Sequence, residues 1–209
     1  MTYLEPGKKY KATVTLDVCG HVFPKGHRVR LAIANSFWPM IWPSPEKVTL
    51  KLDLSTAEFT LPIFTGKDTE GPNMEAKCAP LTPMTVLKEG VVNRQVTYDL
   101  LTDSWTSITD GVGGVFGEGI YRFDDIGTVV EHNLKRILTV SNSDPSDARY
   151  EIIQKMKNGR PGWEIDCDID VVQTADKENF YITGFMDASI NGEHAFHRDY
   201  DVTVPRNGL

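Results

Sequence analysis

The feature that most constrains the fold is a strict two-residue alternation. Trp163-Glu164-Ile165-Asp166-Cys167-Asp168-Ile169-Asp170-Val171 changes character at every step. Successive side chains of a strand point to opposite faces, so this run sets apolar residues on one side and carboxylates on the other. A helix would scatter the same residues around its circumference, so the period predicts a strand. Its neighbours carry the same signal. Phe180 to Ile190 and His194 to Val204 are strand-like and separated by Asn191-Gly192, a dipeptide that tolerates the positive φ angles of a tight hairpin. Val91 to Leu101, Trp105 to Thr109, Val129 to Val140 and Tyr150 to Met156 are rich in β-formers. Together they predict an antiparallel meander over residues 85–209, one face buried and the acidic face wet. Helical periodicity is scarce, with short helical turns allowed around Ser143 to Ala148.

The first third of the chain also alternates. Tyr10 to Leu16, Arg28 to Ile33, Val48 to Leu54 and Glu58 to Leu61 read as four strands. Phe23-Pro24-Lys25-Gly26-His27 supplies turn chemistry between the first two, because proline presets φ and glycine accepts positive φ. Pro62, Pro72, Pro80 and Pro83 then crowd a stretch that also holds Gly66 and Gly71. Residues 64–84 are therefore expected to be a linker or surface crossing between two β parts, 1–63 and 85–209, which can share one core.

Composition narrows the function. Hydrophobic residues are 40% and charged residues 24% of the 209, ordinary for a globular chain. No apolar run approaches the ~20 residues of a membrane helix. The net charge of −7 disfavours nucleic acid as a partner. That charge is uneven: residues 1–64 carry 8 Lys/Arg against 5 Asp/Glu, and residues 65–209 carry 14 against 24. Cys19, Cys78 and Cys167 are odd in number and widely spaced, which fits free thiols in a reducing, cytoplasmic setting better than a disulfide scaffold.

Tests for chemistry return little. No serine sits in the G-x-S-x-G setting of a nucleophile elbow. Cys19 is two residues from His21, but a shared strand face does not make a catalytic pair. Cys167 falls in an apolar register and reads as a small buried hydrophobe. His194 and His197, three apart, should lie on opposite faces of a strand and make a poor metal pair. Asp166, Asp168 and Asp170 share a face and could hold Ca²⁺, although a solvated strand face is the favoured reading. Gly111 to Gly119 is glycine-dense but puts Phe116 where G-x-G-x-x-G needs glycine, and has no P-loop lysine. No catalytic residue, metal ligand or cofactor is therefore assigned. The remaining candidate is Phe37-Trp38-Pro39-Met40-Ile41-Trp42-Pro43-Ser44-Pro45, in which Trp38 and Trp42 can form a ligand or partner platform. The alternative, that both indoles plug the end of the β core or pack on a neighbouring domain, is favoured.

Three segments together resemble a known family: Leu4-Glu5-Pro6-Gly7-Lys8-Lys9-Tyr10, Phe23-Pro24-Lys25-Gly26-His27-Arg28-Val29-Arg30-Leu31-Ala32-Ile33, and Trp38-Pro39-Met40-Ile41-Trp42-Pro43. They are similar to the C-terminal non-catalytic domain of the X-Pro dipeptidyl-peptidase/cocaine esterase-like (CocE/NonD) serine hydrolases. Phe196 to Arg206 resembles the tail of the longer members. The resemblance implies an all-β chain, a partial jelly-roll β-sandwich at 1–63 followed by an antiparallel β-meander. It also implies a non-catalytic accessory role beside an α/β-hydrolase domain that carries the catalytic triad, none of whose positions has a counterpart here. The chain is expected to begin partway through that jelly roll, leaving a bare sheet edge that self-association could cover. A free-standing carbohydrate- or ligand-binding β-sandwich using Trp38 and Trp42 is the alternative.

Overall fold

The structure, a computed structural model, describes residues 4–65, 78–114, 117–144 and 146–207. Among these, nine strands form one open antiparallel sheet and no residue is helical. The strands are β1 (Met84–Lys88), β2 (Val91–Asp99), β3 (Ser104–Val112), β4 (Ile120–Phe123), β5 (Thr128–Ser141), β6 (Arg149–Arg160), β7 (Trp163–Ala175), β8 (Asn179–Ile190) and β9 (Glu193–Pro205). All-β architecture and the meander are therefore as the alternation predicts. The stretch Ser143 to Ala148 holds a turn in place of helix.

The topology is simpler than nine strands suggest. Along one edge of β5, β4 pairs with Thr128–Val130 and β3 with Asn133–Ser141, so β3 and β4 lie end to end. In the same way β1 pairs with β4 and β2 with β3. Two interrupted ribbons and β5 to β9 thus succeed one another, each joined to the next by a turn. Local closure explains this order, since a short connection between antiparallel strands loses little entropy. The turns carry the expected chemistry. Asn191 and Gly192 have φ of 52° and 80°, the left-handed values of a type I′ hairpin. The Asn191 side chain also accepts a bond from the Glu164 amide at 2.8 Å, tying the hairpin tip to β7.

The register sorts the faces. Cys167 lies opposite Met156 on β6 and Ala188 on β8, Ile169 opposite Gln154 and Met186, and Val171 opposite Ile152 and Gly184. On the other face Asp166 and Asp168 sit across from Lys157 and Lys155. The first face is thus largely apolar and the second charged. Buried apolar side chains among the described residues are few, Val130, Leu138, Ala148 and Cys167 together with Pro43, because a single-layer sheet covers its apolar face only with its own neighbours. The accessible surface is 17159 Å². A compact monomer of this mass would expose about 9,700 Å².

Residues 4–65 differ from the sequence expectation. The four predicted strands there form no strand in the structure, although the Pro24 to Gly26 turn closes with a His27 N–H to Pro24 carbonyl bond of 3.1 Å. Alternation specifies which side chains share a face; a strand also needs a ladder partner, and none of these segments has one among the described residues. Long-range ties are sparse: Lys9 Nζ to Asp53 at 2.8 Å, and Asn35 Nδ2 donating to the Val48 carbonyl at 2.9 Å. Most of the predicted crossing, residues 66–77, lies outside the described residues, and its end at Met84 opens β1.

Candidate interface around Trp38 and Trp42

The proline-stiffened segment is where the first third of the chain meets the sheet. Trp38 and Trp42 pack edge to face with ring centroids 4.9 Å apart. Trp38 meets Tyr150 at the start of β6 at 6.5 Å, and Trp42 meets Phe180 at the start of β8 at 5.7 Å. By register, Tyr150 and Phe180 belong to the apolar face, at the end of the sheet where β5 finishes. Edge-to-face geometry sets the positive ring edge against the negative π face, adding specificity to the burial. Both indoles are half-buried, so the segment acts as a cap over one end of that face.

Arg206, just after β9, fastens the cap. Its side chain is 1% exposed, with Nη2 donating to the Pro43 carbonyl and Nη1 to the Asp176 carbonyl at 2.9 Å. The guanidinium lies 4.8 Å over the Phe180 ring, a cation–π contact. Its burial lowers the pKa, an effect the nearby Asp176 carboxylate opposes. Asp176 is itself held below the usual carboxylate range, first by the Tyr181 hydroxyl and then by the amides of Asn179 and Glu178. Arg206, Phe180 and Tyr150 were not singled out in the sequence. Their shared parity in the meander was the available signal, but which loop would sit on them is a non-local fact.

The other candidates resolve as follows. Asp166 and Asp168 each face a lysine, with Lys157 at 3.8 Å and Lys155 at 3.5 Å, so these carboxylates belong to a solvated ion-pair face. Among the described residues no group of three His, Cys, Asp or Glu is arranged to hold a metal ion. Cys167 is buried, and burial pushes its thiol pKa up, with Asp168 and Asp187 adding to the rise; that is the opposite of an activated nucleophile. Cys19 is exposed, and the His21 ring turns edge-on to Phe23 at 4.9 Å.

His194 and His197 require a correction. The pairing of β8 with β9 shifts between Ala188 and Ser189, so that His194 stands opposite Ser189 and His197 opposite Asp187. This β-bulge inserts Ala195 and reverses the parity, bringing two residues three apart to the same side. Asp187 then lies 3.0 Å from His194 Nε2 and 4.0 Å from His197 Nδ1. Sequence spacing alone hides such a bulge.

The glycine-dense run is the junction between β3 and β4. The Gly119 amide donates to the Gly113 carbonyl at 2.8 Å, and the Gly114 amide donates to the His132 carbonyl of β5. A shallow cavity of about 170 Å³ lies beside it, lined in part by Glu118, Tyr121, His132 and Gln154. The amides of Gly113, Gly114, Gly117 and Gly119 all donate within the protein, so they do not form the open cradle of amides that a phosphate needs.

Comparison with known proteins bears on this segment directly. Residues 2–79 match the sequence model of the X-Pro dipeptidyl-peptidase C-terminal non-catalytic domain. The similarity to that domain family is thus confined to the first third of the chain. It is also similar to a protein described as a putative Xaa-Pro dipeptidyl-peptidase from Streptomyces avermitilis, 40% identical over 63 residues, 30% of this chain. The chain spans only 9% of the length of that relative. No solved structure matches. The matched segment contains Trp38, Trp42 and Pro43, whereas Tyr150, Phe180 and Arg206 belong to the meander beyond it. The cap is therefore a contact between the segment that matches the family model and a sheet outside that match.

Proposed function

We propose that this chain is the non-catalytic C-terminal accessory region of an α/β-hydrolase-type serine hydrolase of the X-Pro dipeptidyl-peptidase and esterase kind. In this reading residues 1–63 contribute to a jelly-roll sandwich that packs on a catalytic domain and helps shape its pocket, in a cytoplasmic setting. The observation that carries it is the family match over residues 2–79. The exposed, alternating apolar residues Val29, Leu31 and Ile33, which have no ladder partner among the described residues, support it as surface awaiting a protein neighbour. Trp38 and Trp42 turn their rings toward Tyr150 and Phe180, which favours a packing role over a sugar platform.

The experiment has two arms. The purified chain alone is incubated with X-Pro-p-nitroanilide and p-nitrophenyl ester substrates and with a fluorophosphonate probe; neither turnover nor labelling is expected. It is then titrated into a separately expressed α/β-hydrolase domain of an X-Pro dipeptidyl-peptidase, where saturable binding and a changed KM are expected. Labelling of the chain alone would sink the non-catalytic assignment. Unchanged kinetics and no binding in the second arm would sink the accessory role.

A further inference from the structure

The charged face of the sheet has its partners in place. Lys157 reaches Glu164 at 2.9 Å and Asp166 at 3.8 Å, Lys155 reaches Asp168, and His194 reaches Asp187. The opposite face does not. From β5 to β9 it presents Met156, Ile169, Val171, Met186, Phe196 and Val202, half-buried or exposed, interrupted by Arg136 and His132 on β5, Gln154 on β6 and Arg198 on β9, and the Trp38–Trp42 cap covers only the end near Tyr150 and Phe180. Soluble monomers rarely leave so large a mainly apolar surface in water.

We infer that this face is the interface of a symmetric dimer, in which two copies of the chain pack their β5–β9 sheets face to face as a β-sandwich. The area is sufficient. The strands are 12 to 14 residues long. Leaving out about four residues per strand at the capped end, at about 3.3 Å per residue and about 4.8 Å between strands, five strands of about eight residues cover roughly 630 Å² per copy, or about 1,270 Å² for both. Stable interfaces bury about 1,200–2,000 Å². Shape agrees as well, because two sheets of identical right-handed twist pack aligned at about −30°.

The cap fixes the relative orientation. A two-fold axis lying between the sheets and running across the strands sets the two caps at opposite ends. Each cap then closes one end of the sandwich, and neither blocks the other copy. An axis along the strands would bring both caps to one end and hold the sheets apart there. The same symmetry leaves each charged face in water. The dimer interface lies wholly outside the family match and stands independently of the accessory role.

Light scattering and sedimentation on the full chain test it. The expected mass is twice the 23.4 kDa of one chain, with a melting temperature that rises with protein concentration. Ile169→Asp places two charges in the interface at once and should raise the dissociation constant roughly a hundredfold. Asp168→Asn, on the opposite face of the same strand, should leave it unchanged. Should Ile169→Asp fail to fold by circular dichroism, Met156→Lys, on the same face of the neighbouring strand, takes its place and should weaken the dimer likewise. A monomer at every soluble concentration, as expected if residues 4–65 fold back over the face, overturns the inference. So does a dimer indifferent to a folded Ile169→Asp chain, which would point to pairing of the bare β9 edges.

Discussion

Arg206 joins three parts of the molecule through one side chain: the Pro43 carbonyl of the cap, the Asp176 carbonyl of the β7–β8 turn, and the Phe180 ring. Hydrogen bonds from a charged donor are each worth more than neutral ones, and this group is 1% exposed, so water does not replace them when they are lost. Arg206→Met keeps most of the volume and removes every donor. It should cost about 2 kcal/mol of stability and shift tryptophan emission to the red as Trp42 is released. Wild-type stability with unchanged emission would show that the cap is held by the aromatic contacts alone. Asp176 makes a pH prediction at the same spot. Its folded-state pKa is depressed, with the Tyr181 hydroxyl at 2.6 Å as the leading cause. Its contribution is therefore present above the unfolded value of ~3.9 and is lost as pH falls through the folded value. Asp176→Asn should lower the melting temperature at neutral pH, with the difference from wild type closing below about pH 4. A gap that stays constant from neutral to acid pH would assign the effect to lost backbone bonding and remove the carboxylate charge from the explanation.

At the scale of elements, the break between β3 and β4 is the most demanding piece of backbone. Gly119 has φ of 86°, and a Cβ there would run into the Lys88 carbonyl oxygen of β1. Gly119→Ala cannot be absorbed by a rotamer change, since the obstacle is main chain. Amide exchange should speed up several-fold in β1 and β4 while β6 to β8 keep their protection, because contacts along a meander pass only from ribbon to ribbon. Uniform loss of protection would instead mark the sheet as one cooperative unit. The same element shows where sequence reading stops. β7 was legible from its first residue because the alternation from Trp163 to Val171 is strict, although the strand runs on to Ala175, and the β8–β9 hairpin because Asn-Gly accepts its φ angles. The four residues of β4, Ile-Tyr-Arg-Phe, follow a glycine run and are too few for a period to register. β1 begins at the margin of the proline-rich stretch, where turn signals outweigh the β-formers of Met84–Lys88. His194 and His197 were separated by parity and rejoined by a bulge that no spacing rule contains.

For the whole molecule, the lesson of legibility is the contrast between the two parts. From β5 to β9 each strand pairs with its immediate neighbour in sequence, so alternation plus turns was enough to specify that part of the sheet. Residues 10–61 alternate as clearly, yet they have no ladder partner among the described residues, and period alone cannot supply one. The cap shows the same limit: Trp38 and Trp42 could be nominated, but not Tyr150, Phe180 or Arg206 beneath them. This architecture predicts an uneven response to protease. Lys8, Lys9, Lys11, Lys25, Arg28, Arg30 and Lys51 lie in exposed chain without ladder bonds, where local opening is nearly free. In the sheet, Arg136 on β5 and Lys155 on β6 are held by ladders on both sides. Brief trypsin treatment should therefore remove the first third in pieces and leave a fragment retaining β1 to β9. Protection of the Lys25 to Arg30 sites equal to that of β6 would show that the first third packs on the sheet in solution. That result would also supply, within one chain, the cover that the apolar face otherwise takes from a second copy.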